Sequence, residues 1–361
     1  MTEIAGLPHF MVWLTYVACG LAAAAMFCCG HEESELADTS SSVTPEVSAV
    51  PNPPSAPCDR HRQWAPLVQL NTIRASALDS DNIEFEPQPH VWAEPVGPPN
   101  GRLFVFIPGT DPGYREGEQT EGGPLFYREL LRTAAAGGFR TIGLNYINDI
   151  PINVVCAGLP DCNELARQEV ITGEDTWSWP PDDPEFDERN VEVDPPNSIL
   201  GRLVRLLEHL RWDEFLVDGA PRWDRIVFAG HSQGGGHAAL LGKYHRIDRA
   251  MMFDATESAP WTIRSEQAFE TPAARYYGFT SILDQPIYRA NVQGWAQMEM
   301  PEPLVWVNQA GLLPPSVHQL RTSREARDGN EHGTTSLDDS VPLDENNEIL
   351  FRDAWCHMMG P

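Results

Sequence analysis

Arg225-Ile226-Val227-Phe228-Ala229-Gly230-His231-Ser232-Gln233-Gly234-Gly235-Gly236 runs directly into HAALLGKYH, residues 237–245. The first five residues form a short β-rich run and the last nine have helical composition, so the glycines between them must turn a strand into a helix. Glycines on either side of Ser232 suit a crowded turn in which side chains would collide with the neighbouring strand and helix. The Ser232 hydroxyl then projects freely. A glycine-rich turn of this kind could also cradle a phosphate, but the lysine of a Walker loop is missing. The Gly-x-Ser-x-Gly pattern alone is weak; its meaning rests on the strand before it and the helix after it.

Outward from this turn, β-rich runs alternate with helical patterns from Gly101 onward, the signature of βαβ units in a mostly parallel sheet flanked by helices. Leu103 to Ile107 (LFVFI) is the continuous apolar run that a strand buried on both faces requires, and Pro108-Gly109 ends it. Pro124 to Ala136 reads as a helix, Gly137-Gly138 as its stop and Thr141 to Tyr146 as a strand. Ile199, Leu200, Leu203, Leu206, Leu207 and Leu210 recur at helical spacing behind Asn197 or Ser198 as cap. His209 on that helix is read as structural.

Residues 58–100 read as edge strands or an irregular lead-in. The stretch from Asp149 to Asn197 lacks long periodic segments and reads as an insertion over the active-site edge of the sheet. Its tryptophans Trp177 and Trp179, with Trp261, could line an apolar pocket or pack the insertion onto its own domain.

The 52 acidic against 25 basic residues give a formal charge of -27, which works against nucleic acid or anionic lipid as a partner. The run Asp182, Asp183, Glu185, Asp187, Glu188 offers oxygen ligands for calcium, but without EF-hand spacing it reads as a solvated loop. No paired Cys-x-x-Cys or His-Glu-x-x-His spacing appears, so neither a metal nor a cofactor is expected.

Phe10 to Cys29 carries no charge and is long enough for a secretory apolar region or one membrane span. Residues 1–30 are therefore read as an export signal or a membrane or lipid anchor. Cys28 or Cys29 resembles the lipid-accepting cysteine of bacterial lipoproteins, although Met26 and Phe27 are bulkier than that motif favours. Residues 31–57 are too poor in apolar groups to pack and read as a disordered linker, leaving residues 58–361 as the folded domain. Export to the periplasm, cell surface or medium would let Cys58, Cys156, Cys162 and Cys356 oxidise. Of the three pairings available, the turn formers in AGLPD favour Cys156 with Cys162, which leaves Cys58 to staple the domain's start to Cys356 near its end.

Residues 101–361, through FIPGT and GHSQGG, resemble the α/β-hydrolase superfamily, in its esterase and lipase-like branch. The resemblance implies an α/β-hydrolase fold, and a nucleophilic serine followed in sequence by an acid and a histidine. Ser232 is the expected nucleophile. Asp284, just past the strand expected within Ala274 to Ile282, is the first choice for the acid, with Asp254 after MMFD as the alternative. His332, in the loop beyond Gln319 to Thr322, is the expected base; His318 is the alternative at the wrong end of that strand. His237 is read as packed, and His231 as the motif's variable position. The oxyanion donors implied are the backbone amides of Gln233 and Thr110.

The implied reaction is attack of Ser232 on an ester or acyl substrate of low molecular weight, with activity expected to fall below about pH 6 as the histidine protonates. A peptidase or amidase would use the same three groups. From another class, an anchored binding protein on an inactive hydrolase scaffold would share the sequence pattern.

Overall fold

Leu103, Val105 and Ile107 face one side of a central sheet, and Phe104 and Phe106 face the other; all five are fully buried. That follows from the two-residue period of a strand with helices against both faces. The computed structural model to which these positions belong describes residues 58–80, 88–111, 123–156, 159, 161–178, 191–256, 258–285 and 287–360. The N-terminal apolar segment, the linker, Trp179 and the acidic run at Asp182 lie outside the described residues.

The chain enters through α1 (Asp59–Trp64), β1 (Asn71–Ile73) and β2 (His90–Ala93) before reaching β3 (Leu103–Ile107). It continues through α2 (Arg128–Ala136), β4 (Arg140–Gly143), α3 (Ile152–Cys156), α4 (Cys162–Thr172) and α5 (Ile199–Leu210). A two-stranded ribbon, β5 (Leu216–Val217) with β6 (Ala220–Pro221), precedes β7 (Ile226–His231), α6 (Gln233–Tyr244) and β8 (Arg249–Phe253). The last elements are β9 (Tyr276–Ser281), α7 (Ile287–Gln297), β10 (Leu304–Trp306), β11 (Gln319–Thr322) and α8 (Arg352–Met359).

Among the described residues the main sheet has nine strands in the order β1-β2-β4-β3-β7-β8-β9-β11-β10. Every pairing from β4 to β10 is parallel; only β1 with β2 and β2 with β4 are antiparallel. This is a mixed α/β architecture with a large, mostly parallel sheet, consistent with an α/β-hydrolase-like fold. Leu203, Leu206 and Leu207 of α5 and Ala238 to Leu241 of α6 join the core that contains Val105 and Phe228. Leu130 and Leu131 of α2 and Trp355, Met358 and Met359 of α8 join the core that contains Phe106 and Phe253. Truncating a side chain such as Phe106 to alanine would cost about 3–5 kcal/mol.

Three elements differ from the sequence expectation. Pro124 lies in a 3-10 turn, Gly123–Tyr127, and the α-helix begins only at Arg128. There the carboxylate of Asp338 accepts the amides of Arg128 and Glu129 at 2.9 and 3.0 Å, a cap supplied from 210 residues away. The strand expected over Thr141 to Tyr146 pairs only through Gly143, because Asn145 turns to bond Gln88 and His90. The stretch from Asp149 to Asn197, which reads as lacking long periodic segments, contains α4, whose buried face mixes Asn163, Arg167 and Glu169 with Ala166, Val170 and Ile171, so no apolar period marks it.

Cys156 pairs with Cys162 and Cys58 with Cys356. The short bridge joins α3 to α4, and the long one ties the first described residue to α8. These bonds fit an oxidising environment. Among the described residues no helix is long and apolar enough to cross a membrane.

Candidate functional site

Parallel strands place the loops after β3, β7, β8 and β9 along one edge of the sheet, where the C-terminal ends of open α/β sheets gather ligands. Ser232 stands there between β7 and α6 with φ 51° and ψ -122°, a conformation that costs a residue with a side chain of order 1–3 kcal/mol. The surroundings over-determine it. The Ser232 amide donates to Phe253 O at 2.9 Å, and its carbonyl accepts from Gly235 and Gly236 in the first turn of α6. A Cβ on Gly230 would lie 2.3 Å from the Gly234 carbonyl carbon, and one on Gly234 would lie 2.1 Å from Ile107 O. The turn therefore needs glycine on both sides of the serine. Ser232 remains half-buried while its neighbours His231 and Gln233 are buried.

Asp284 follows β9, in the turn that leads to α7. His332 sits in the short turn Glu331–Gly333 beyond β11. The two meet with His332 Nδ1 2.6 Å from Asp284 Oδ2. A carboxylate only accepts, so Nδ1 carries the hydrogen and Nε2 is left as the free basic nitrogen of the neutral ring. Burial pulls the His332 pKa down, but the Asp284 hydrogen bond and the charges of Asp254 and Asp284 outweigh it and hold the pKa above 6.5. The His332 turn lies against the serine turn: His332 O is 2.8 Å from His231 Nε2, and the two rings are 4.7 Å apart.

The alternative residues are occupied otherwise. Asp254 is buried after β8 and accepts hydrogen bonds from Thr280 Oγ1 (2.8 Å), Ser281 N (2.9 Å) and Thr335 Oγ1 (2.5 Å). It thus ties the end of β9, just before Asp284, to the segment just after His332. Burial pushes its carboxyl up to about 7, against the opposing pull of the His332 charge and these three donors. His318 lies at the N-terminal end of β11, its Nδ1 3.3 Å from Tyr276 O and its ring 4.5 Å from that of Tyr277, at the opposite edge from Ser232. His237 is buried edge-on to Tyr146, and burial holds it neutral.

The loop after β3 closes over the serine turn. A Cβ on Gly109 would stand 3.2 Å from Ser232 Cβ. Thr110 Oγ1 donates to Gln233 Oε1 at 3.1 Å, and Ile152 N donates to the same oxygen at 2.9 Å. Arg167 of α4 donates to Gln233 O at 2.9 Å. The Gly109 amide is spent on Tyr127 Oη at 3.3 Å, which leaves the next amide, that of Thr110, as the loop's candidate donor beside Gln233. Asn148 and Tyr146 hold the carbonyls of Gly109 and Pro108.

Tyr127, Asn148, Arg167 and His231 were not singled out as site residues by sequence reasoning. Each acts through a contact 39 or more residues away, and no local motif records such a contact. Trp261 is fully buried with its indole donating to Asn163 of α4 at 2.7 Å, so it secures that helix rather than opening a pocket. Trp177 is half-buried against the same core. Among the described residues no cluster of three His, Cys, Asp or Glu side chains could hold a metal ion.

No family model matches the chain, and no curated protein matches it. Among solved structures it is similar to the apo isopeptidase AtxE2, at 13% identity and TM-score 0.33 over 81% of this chain and 38% of that one. It therefore spans well under half of the isopeptidase's length. It is also similar to a protein assigned as a dienelactone hydrolase from Klebsiella pneumoniae, at 13% identity and TM-score 0.37, covering 81% of this chain and 97% of that one. A third similar structure is an esterase from Thermogutta terrifontis, at 13% identity and TM-score 0.32, covering 72% and 81%.

Proposed function

We propose that the protein is a serine hydrolase that cleaves carboxylic esters through an acyl-enzyme, with Ser232 as nucleophile, His332 as general base and Asp284 orienting the imidazole. One observation carries the reading: at the same sheet edge, a strained serine turn lies against a histidine whose Nδ1 is paired with a carboxylate.

In the reaction His332 Nε2 accepts the Ser232 proton as Oγ attacks the ester carbonyl. The negative charge that develops on the carbonyl oxygen is held by the amides of Gln233 and Thr110, each contributing roughly 3 kcal/mol. Collapse expels the alcohol, protonated by His332, and a water activated by the same imidazole releases the acyl group. Asp284 keeps the ring in the tautomer this needs. Nothing in the scheme calls for a metal or cofactor.

Residues 58–361 would form the catalytic domain, exported behind the segment at residues 1–30 and the linker at 31–57. Two disulfides support an oxidising destination. A panel of p-nitrophenyl esters of increasing acyl length, run beside peptide anilides, tests the substrate class. Ester turnover that falls at least about 1,000-fold in Ser232→Ala is expected; turnover of the anilides alone would replace the esterase by a peptidase.

A further inference from the structure

His231 fills the variable position of the serine motif, yet it is buried and bonded at both ring nitrogens. Its Nε2 faces His332 O at 2.8 Å, and its Nδ1 faces Tyr127 Oη at 2.9 Å. The hydrogens can be assigned in one way. A carbonyl oxygen only accepts, so Nε2 carries the hydrogen; Nδ1 is then bare and accepts the Tyr127 O–H. The tyrosine oxygen in turn accepts the Gly109 amide at 3.3 Å. One chain of hydrogen bonds therefore runs from the loop bearing Thr110, through Tyr127 and His231, to the backbone of His332.

We propose that His231 is a positioning residue, which holds the His332 backbone through its Nε2–H and, through Tyr127, couples that backbone to the loop bearing Thr110. The inference rests on the hydrolase reading for its catalytic meaning. Burial, followed by the His332 charge, drops the His231 pKa to about 3, against the pull of its bond to His332 O, so the tautomer persists over the working pH range. Burial likewise raises the Tyr127 pKa and keeps its proton in place. Asp284 fixes the imidazole ring of His332, whereas His231 fixes the main chain that carries it. A displacement of about 1 Å in a reacting group can cost about 100-fold in rate.

The test compares wild type with His231→Leu, His231→Gln and Tyr127→Phe, using Ser232→Ala as the blank. Three readouts are needed: kcat and KM on p-nitrophenyl acetate, the rate of fluorophosphonate labelling, and amide hydrogen exchange over residues 326–337. His231→Leu should lose about 10–100-fold in kcat with KM little changed, and its 326–337 segment should exchange faster. In His231→Gln the side-chain amide can still reach His332 O, so most of the activity and protection should return. Tyr127→Phe should fall between the two.

Folded His231→Leu or Tyr127→Phe protein with wild-type kcat and wild-type exchange would overturn the proposal. So would a folded His231→Gln as impaired as His231→Leu. Wild-type protein that neither hydrolyses the ester nor takes the fluorophosphonate would sink the hydrolase reading alone, because exchange in the same variants still reports whether His231 holds the His332 segment.

Discussion

His332 Nδ1 and Asp284 Oδ2 are 2.6 Å apart although 48 residues separate them in sequence. The contact exists because β9 and β11 are parallel neighbours, so the loops that follow them leave the sheet side by side. Asp254, one strand further in, bonds Thr280, Ser281 and Thr335 and so ties the end of β9 to the segment that follows His332.

This division of labour predicts unequal losses. Asp284→Asn should reduce kcat by about 10⁴-fold, because the amide favours the wrong imidazole tautomer. Asp254→Asn should cost about 10-fold in kcat, since it weakens the tie without touching the ring. Steady-state kinetics on one ester would decide it. The reverse order would make Asp254 the orienting acid.

The base must be neutral to accept the serine proton, and the partners of His332 hold its pKa above 6.5. The acid limb of kcat/KM should therefore have its midpoint above pH 6.5, higher than the fall below about pH 6 expected from an ordinary histidine. Removing the Asp284 charge and hydrogen bond should move that limb to lower pH. A pH profile of wild type and Asp284→Asn checks both signs, and a wild-type midpoint below 6 would contradict them.

The two disulfides should stabilise the fold unequally. The Cys58–Cys356 bridge closes a separation of 298 residues and the Cys156–Cys162 bridge one of 6. In the chain-entropy account the first contributes about 6 kcal/mol and the second about 2 kcal/mol. Paired Cys→Ser variants compared by urea denaturation should keep that order.

The legible parts of this molecule were those written in short spans. Leu103–Ile107 matches its expected boundaries because a strand buried on both faces needs one unbroken apolar run; Gln319–Thr322 also matches its expected boundaries, although QLRT holds a single apolar residue. The strand-turn-helix around Ser232 was readable for a similar reason, since crowding dictates glycine locally. Helix α4 was not readable, because its buried face includes Asn163, Arg167 and Glu169, polar groups satisfied by Trp261, by the Gln233 carbonyl and by the Trp177 amide beyond the helix end. Edge strand β10 is three residues long beside Pro301 and Pro303, too short to show a period. Asp284 and His332 could be named as candidates by their order after Ser232, but their contact belongs to the sheet. The roles of Tyr127 and His231 left no trace in sequence, since they consist of a bond between two side chains 104 residues apart and of bonds from those side chains to the main chain of Gly109 and His332.

The most direct test is to treat the purified protein with a fluorophosphonate at pH 8 and map the adduct by peptide mass spectrometry. The account predicts one phosphonylated residue, Ser232, and no adduct in Ser232→Ala. Modification of another serine, or folded protein that stays unmodified, would contradict it.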